Sequence, residues 1–441
     1  MKKRMIIAFL VLAIGLTACG NNQDSTQDNT NSQSNSEGES TEQSSEDEFE
    51  IETPGAYEGE VLCDNDNYTI IVDKIEVDED FMMTLSIINK ASHDIRFLIN
   101  EPAINGLMYD KSPEFVSVKK GETKKHEIEI RESWLKKYDM RRITEVFYTI
   151  EATNQGTEQF MGTELCASYP YREAEYFEYE PKATDVLVVD TEEYRVYAGL
   201  EVNGSSAKVQ MYAQNNTDKT VRIGGMYPAV NNRMLSLDSN VATYVAPGKC
   251  AITTTTIGKD DLESVGMEKV EDIIKLSHEW TVTNHNKGLY TYGADTTETI
   301  YRQVADIYVS GKENVEVTLP EINGKQLWDN DYCTLYYVGN SYGEKATVDV
   351  CLINKTNRTL NVYLAENMIE DMVEGFGTET TVLSGAICYM SMMWQIEDLE
   401  EAEVDFGSAD GVKYSFEMEL HYADTEKFLY EKIFRNQRTS K

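Results

Sequence analysis

Leu327-Trp328-Asp329-Asn330-Asp331, followed downstream by Asn354-Lys355-Thr356-Asn357-Arg358, decides how the rest of the chain is read. The same pairing stands near the front as Leu62-Cys63-Asp64-Asn65-Asp66 with Asn89-Lys90. It stands in the middle as Val188-Val189-Asp190-Thr191-Glu192 with Asn215-Asn216-Thr217-Asp218-Lys219. Asp64 to Asn89, Asp190 to Asn215 and Asp329 to Asn354 are each 25 residues apart. Successive copies begin 126 and 139 residues apart. Solenoid repeats run roughly 20–50 residues, whereas units this long each bury a core of their own. The 441 residues, at roughly 150 per domain, also give three.

Between each Asp and Asn the residues alternate as half-buried strands do: Met83, Leu85 and Ile87; Val209, Met211 and Ala213; Val348, Val350 and Leu352. Gly121, Gly248 and Gly385 follow in a shared register. Nine residues after each comes an apolar residue (Ile130, Ile257, Trp394), and fourteen after each comes Leu135, Leu262 or Leu399. Each glycine is expected to hold a turn at positive φ. Each leucine is expected to lie on a short helix that plugs one end of a sandwich. Several short strands, turns between them and one short helix per unit predict an all-β fold of three tandem antiparallel β-sandwiches. The units are placed at 57–180, 181–318 and 319–441.

These residues resemble the immunoglobulin-like domains of unknown function found in secreted lipoproteins of Gram-positive type. The matching parts are the Asp-x-Asp/Glu start, the Asn-(Lys/Asn)-(Thr/Ala) turn and the glycine-to-helix segment. The first unit departs, reading Asn89-Lys90-Ala91-Ser92-His93 without the threonine. The resemblance implies a fold and a location, and no reaction.

Residues 1–18 read as a targeting segment. Lys2, Lys3 and Arg4 precede an apolar run from Met5 to Leu16, too short for a membrane span. Leu16-Thr17-Ala18-Cys19 resembles the lipobox of bacterial lipoproteins. That resemblance implies cleavage before Cys19, a lipid on its sulfur, and a membrane partner at the outer face of the cytoplasmic membrane. Two acyl chains suffice for stable anchoring. Residues 19–56 are an acidic low-complexity tract without Lys or Arg, expected to form a disordered tether.

The formal net charge of −37 argues against nucleic acid, which needs a basic stripe. Asp64-Asn65-Asp66 and Asp329-Asn330-Asp331 offer oxygens that a calcium ion would accept. They are also turn formers that bond nearby backbone. An EF-hand counted from Asp64 would need a glycine at Thr69 and a glutamate at Ile75, so that motif fails. No metal or cofactor is assigned.

Beyond Cys19, the cysteines are Cys63, Cys166, Cys250, Cys333, Cys351 and Cys388, none in a CxxC or Cys/His metal spacing. Strand alternation turns Cys333 inward and Cys351 outward, which opposes a bridge between them; buried free thiols are the expectation. His93, His126, His278, His285 and His421 join no repeated acid, base and nucleophile grouping. His285 reads as part of a hairpin turn, and the chain is read as no enzyme. Tyr169, Tyr171, Tyr176, Phe177 and Tyr179 cluster between the first two units. Such rings pack linkers, or stack on sugars and protein partners. The functional expectation is a non-catalytic binding or surface-presentation protein of the cell envelope. The alternatives are a carbohydrate or wall-polymer binding module, and a hydrolase with an unrecognised site.

Overall fold

The same two-layer unit is built three times along the chain. The structure is a computed structural model that describes residues 49–55, 59–100, 102–171, 173–285, 297–404 and 413–435. The first unit begins with β1 (Glu60–Asp64), β2 (Tyr68–Val77), β3 (Phe81–Asn89) and β4 (Ile95–Ile99). A small hairpin follows, β5 (Ala103–Ile104) and β6 (Leu107–Met108), then β7 (Glu114–Val118) and β8 (Thr123–Ile130). Helix α1 (Glu132–Lys137), β9 (Val146–Asn154) and β10 (Gln159–Ser168) complete it. One layer is β1-β2-β3-β8; the other is β10-β9-β4-β7, with the hairpin continuing beside β9.

The second unit contains β11 (Val186–Asp190), β12 (Tyr194–Asn203), β13 (Ser206–Asn215), β14 (Val221–Val230) and β15 (Arg233–Met234). It continues with β16 (Val241–Val245), β17 (Cys250–Ile257), α2 (Lys259–Ser264), β18 (Lys275–His285) and β19 (Thr297–Tyr308). The third contains β20 (Lys325–Asp329), β21 (Cys333–Tyr342), β22 (Lys345–Asn354), β23 (Leu360–Ile369) and β24 (Val373–Glu374). It ends with β25 (Thr378–Val382), β26 (Ile387–Gln395), α3 (Ile396–Glu401), β27 (Tyr414–Tyr422) and β28 (Phe428–Arg435). Their layers repeat the first: β11-β12-β13-β17 with β19-β18-β14-β16, and β20-β21-β22-β26 with β28-β27-β23-β25. The predicted all-β architecture of antiparallel sandwiches, each with one short α-helix, is what forms. The turn expected around His285 falls at residues 286–288, outside the described residues.

The opening motif stitches the two layers of each unit together. Asn89, Asn215 and Asn354 are buried at the ends of β3, β13 and β22. Their amides donate to the carbonyls of Val118, Val245 and Val382, the last residues of β7, β16 and β25 in the opposite layer, at 2.9–3.0 Å. A second bond closes the following turn, onto His93, Lys219 and Arg358. The side-chain oxygens accept from the backbone N–H of Ala91, Thr217 and Thr356. A buried amide that uses both its donors and its acceptor stabilises the sandwich; unpaired, it would oppose it.

Gly121, Gly248 and Gly385 have φ of 73°, 66° and 67°. A Cβ on any of them would meet open space, so the requirement is the left-handed backbone and not room. The leucines of α1, α2 and α3 are each the one buried residue of a single-turn helix. A helix this short is not stable alone; it is held by sinking Leu135, Leu262 or Leu399 into its unit's core.

Met1–Glu48 and Phe49–Lys441 separate as two units of the chain. Described packing includes Phe49 and the residues after it, inside the 19–56 stretch that composition alone reads as tether. Phe49 and Ile51 lie against the first core, Pro54 is buried, and Glu52 N–H donates to Arg141 O at 2.7 Å. Phe49 and Ile51 are the large apolar residues of that stretch, which is why this part of it can pack on a core. The lipobox and Cys19 lie outside the described residues. Among the described residues, no helix is long and apolar enough to cross a membrane.

Successive units are joined by one device used twice. The β5–β6 turn reaches the next unit, where Cys250 N–H donates to Gly106 O at 2.9 Å and Leu107 pairs with Cys250. The β14–β15 turn does the same: Ile387 N–H donates to Asn232 O at 2.8 Å and Arg233 pairs with Ile387. Cys250 and Ile387 each stand two residues after the positive-φ glycine.

Candidate functional site

The acidic motifs are engaged in turns. Asp64 Oδ1 accepts from Thr69 Oγ1 at 2.6 Å and from Lys90 Nζ at 2.7 Å. Asp329 Oδ1 accepts from Thr334 Oγ1 at 2.6 Å and from Lys355 Nζ at 3.1 Å. Lys90 beside Asp64, and the Thr334 hydroxyl and Lys355 beside Asp329, hold both carboxyls below the usual range. Asn65 and Asn330 accept from the backbone two and three residues on, an Asx turn at the head of β2 and β21. The 25-residue spacing therefore runs from one such turn, across two strands, to the buried asparagine that stands just before the Lys90, Asn216 or Lys355 that closes over it.

The six described cysteines are free; Cys63 is half-buried and the others are buried. Cys351 corrects the outward expectation. It does leave the core face of β22, as alternation requires, but it is 0% exposed. Tyr336 and Tyr389 flank it on the neighbouring strands, and the small thiol is shielded between larger side chains on a face that is itself partly open, Tyr389 being 42% exposed. Burial pushes its thiol up to about 12, and Cys63 to about 11 with help from Glu164. Such thiols are protonated at neutral pH and poor nucleophiles. His278 is wholly buried beside Trp280, and burial lowers its pKa to about 3, so its ring is neutral.

The aromatic cluster between the first two units wraps the joint there. Glu145 and Lys249 form an ion pair at 2.6 Å with side chains only 2% and 8% exposed. The ammonium lies over the rings of Phe147 and Tyr176, at 4.7 and 5.5 Å. Tyr169 donates to Glu145, and Tyr176 rests on the Gly106 turn, where a Cβ would come within 3.0 Å of its ring. Tyr179 stacks on Tyr212 at 4.2 Å, and Tyr171 carries the Arg142 guanidinium at 4.3 Å. Beside the joint, a cleft of about 580 Å³ is lined by Tyr138, Arg141, Arg142, Glu175, Tyr176 and Phe177. Tyr176 is 57% exposed there. The floor offers ring faces beside cations and carboxylates, which suits a planar or sugar-like ligand.

At the far end, Glu417, Glu419 and Glu431 bring carboxylate oxygens within 4.8 Å of one another. Burial, a hydrogen bond to Glu431 and neighbouring carboxylates push Glu417 up to about 7. Glu419 and Glu431 are direct cross-strand partners, so the trio is a like-charge stack on one sheet face. Sequence reading missed both this trio and the Glu145–Lys249 pair. The trio was legible as the alternation Glu417, Glu419, His421; the pair had no local signal.

No family model matches the chain, and no curated protein does. Solved structures that match include red sea bream transglutaminase, at 10% identity and a TM-score of 0.16. That match covers 65% of this chain and 37% of the transglutaminase chain, so this chain spans well under half of it. A likeness that low says nothing about activity here.

Proposed function

We propose that this is a lipid-anchored, non-catalytic envelope protein, held at the outer face of the cytoplasmic membrane, that presents three joined β-sandwiches as a binding surface. The observation that carries the reading is the investment of buried polar groups in the joints. The Glu145–Lys249 pair and the rings around it fix one unit against the next instead of opening a reaction centre. Leu16-Thr17-Ala18-Cys19 supports the anchor, and the acidic tract behind it supports a tether. Labelling cells with a radioactive fatty acid tests this. The full chain should take up label and stay with membranes, and Cys19→Ser should lose the label and be released. Equal membrane retention of the unlabelled variant would overturn the anchor.

A carbohydrate or wall-polymer ligand is the second reading, favoured by the exposed Tyr176 in the aromatic cleft. A glycan array should then light up, and Tyr176→Ala should dim it.

A further inference from the structure

Each half of the joint occurs once more, at the tip of the third unit and at the edge of the first, where no other unit among the described residues packs on it. In the third unit, Glu370 N–H donates to Lys413 O at 2.8 Å. Asn105 to Glu145 and Asn231 to Lys275 make the same bond at 3.0 Å in the first two units. The tip residues Glu370 and Asp371 have φ of 51° and 59°, against 47° and 61° for Asn231 and Asn232. Asp371 thus stands where Gly106 and Asn232 offer their carbonyls. Met372 stands where Leu107 and Arg233 enter the next unit, and it is 63% exposed.

At the other end, Glu122 and Thr123 follow Gly121 as Lys249 and Cys250 follow Gly248, and as Ala386 and Ile387 follow Gly385. Inside the chain these positions are 7%, 6%, 1% and 0% exposed because a preceding unit covers them. Glu122 and Thr123 are exposed. Thr123 pairs with Ile88 in the register in which Cys250 pairs with Gln214, so its N–H faces outward as that of Cys250 does.

A polar end by itself only caps a repeat array. Here the two ends are complementary position by position. The tip is acidic, with Glu370, Asp371 and Glu374; the edge carries exposed Lys119, Lys120, Lys124 and Lys125. The buried Glu145–Lys249 pair also has a counterpart of reversed sign. Lys413, which also pairs with Asp371 in its own unit, occupies the place of Glu145, and Glu122 occupies the place of Lys249.

We propose that a second copy of this chain docks head to tail. The Asp371 carbonyl of one copy accepts from the Thr123 N–H of the next, and Lys413 of the first meets Glu122 of the second. The contact is heterologous, so it propagates as an open series and not as a closed dimer. The proposal does not depend on the lipid anchor.

Sedimentation of the full chain carrying Cys19→Ser, at rising concentration and low salt, tests it. The chain should form dimers and longer species that dissociate as salt screens the ends. Thr123→Pro removes the edge donor at a position where an edge strand tolerates proline, and Asp371→Lys reverses the tip. Each variant alone should stay monomeric with an unchanged circular dichroism spectrum. Mixed together they should give dimers and nothing longer, because one intact tail then meets one intact edge. Should Thr123→Pro disturb the fold, Lys124→Glu with Lys125→Glu blocks the same edge by charge. A parent chain that stays monomeric at every concentration would overturn the proposal. So would association that both variants leave intact, or a mixture that gives no dimer.

Discussion

The two joints share a backbone and differ in nearly every side chain. Between the first and second units, a buried ion pair sits among Phe147, Tyr169 and Tyr176, over a small apolar patch of Ala103, Phe147 and Ala246. Between the second and third, Leu383, Ala386 and Cys388 pack with Ala229 and Met234 from the preceding unit. Beside them, a cleft of about 340 Å³ is lined by Lys275, Ser277 and Asp306. Arg302 bridges this joint differently: it lies 3.6 Å from the buried Glu279 and donates to Ala423 O in the third unit. The N–H to carbonyl bond is nevertheless the same, at 2.9 and 2.8 Å. The hairpin tip and the strand edge therefore specify the joint, and the side chains around them tune how strongly it holds.

The difference predicts unequal responses. Glu145→Ala leaves Lys249 buried and unpaired, which typically costs about 3–5 kcal/mol. Urea unfolding should show that loss, and Glu145→Leu with Lys249→Met should restore most of it. A single substitution that cost no more than its paired variant would mean the charges are solvated after all. Alanine at Gly121, Gly248 or Gly385 should cost about 1–2 kcal/mol through the left-handed backbone alone. The three values should agree if the turn serves the unit. A larger loss at Gly248 and Gly385 than at Gly121 would show that the turn also holds the joint.

The smallest effect is on pH dependence at the second joint. Burial raises Glu279 above its ordinary 4.5 in spite of Arg302. The folded chain then binds this proton more tightly than the unfolded one. Its contribution is full below that ordinary value and is lost as pH rises through the folded value. Melting temperature should therefore carry a downward component as pH rises from the acid side, and Glu279→Gln should remove it. An unchanged profile in the variant would show that Glu279 does not titrate in this range.

Much of the unit was legible because its signals are local. Alternation gave the strands, glycine spacing gave the turns, and Leu135, Leu262 and Leu399 marked the helices. Asn89, Asn215 and Asn354 were visible as markers, but their role was not: the carbonyls they reach lie 28–30 residues away in the other layer. The joints were illegible for a related reason. Gly106 and Cys250 meet across 144 residues, and Lys249 in a covered edge reads like any lysine in a turn. Cys351 failed for the same cause, since alternation tells which face a residue takes and not whether its neighbours on the adjoining strands shield it.

Amide hydrogen exchange at Thr123, Cys250 and Ile387, read in dilute monomeric protein, tests the central claim most directly. These are equivalent positions in the three units, and two of them donate across a joint. Cys250 and Ile387 should be strongly protected while Thr123 exchanges freely. Exchange at Cys250 and Ile387 as fast as at Thr123 would contradict the account, because the units would then be linked by chain alone.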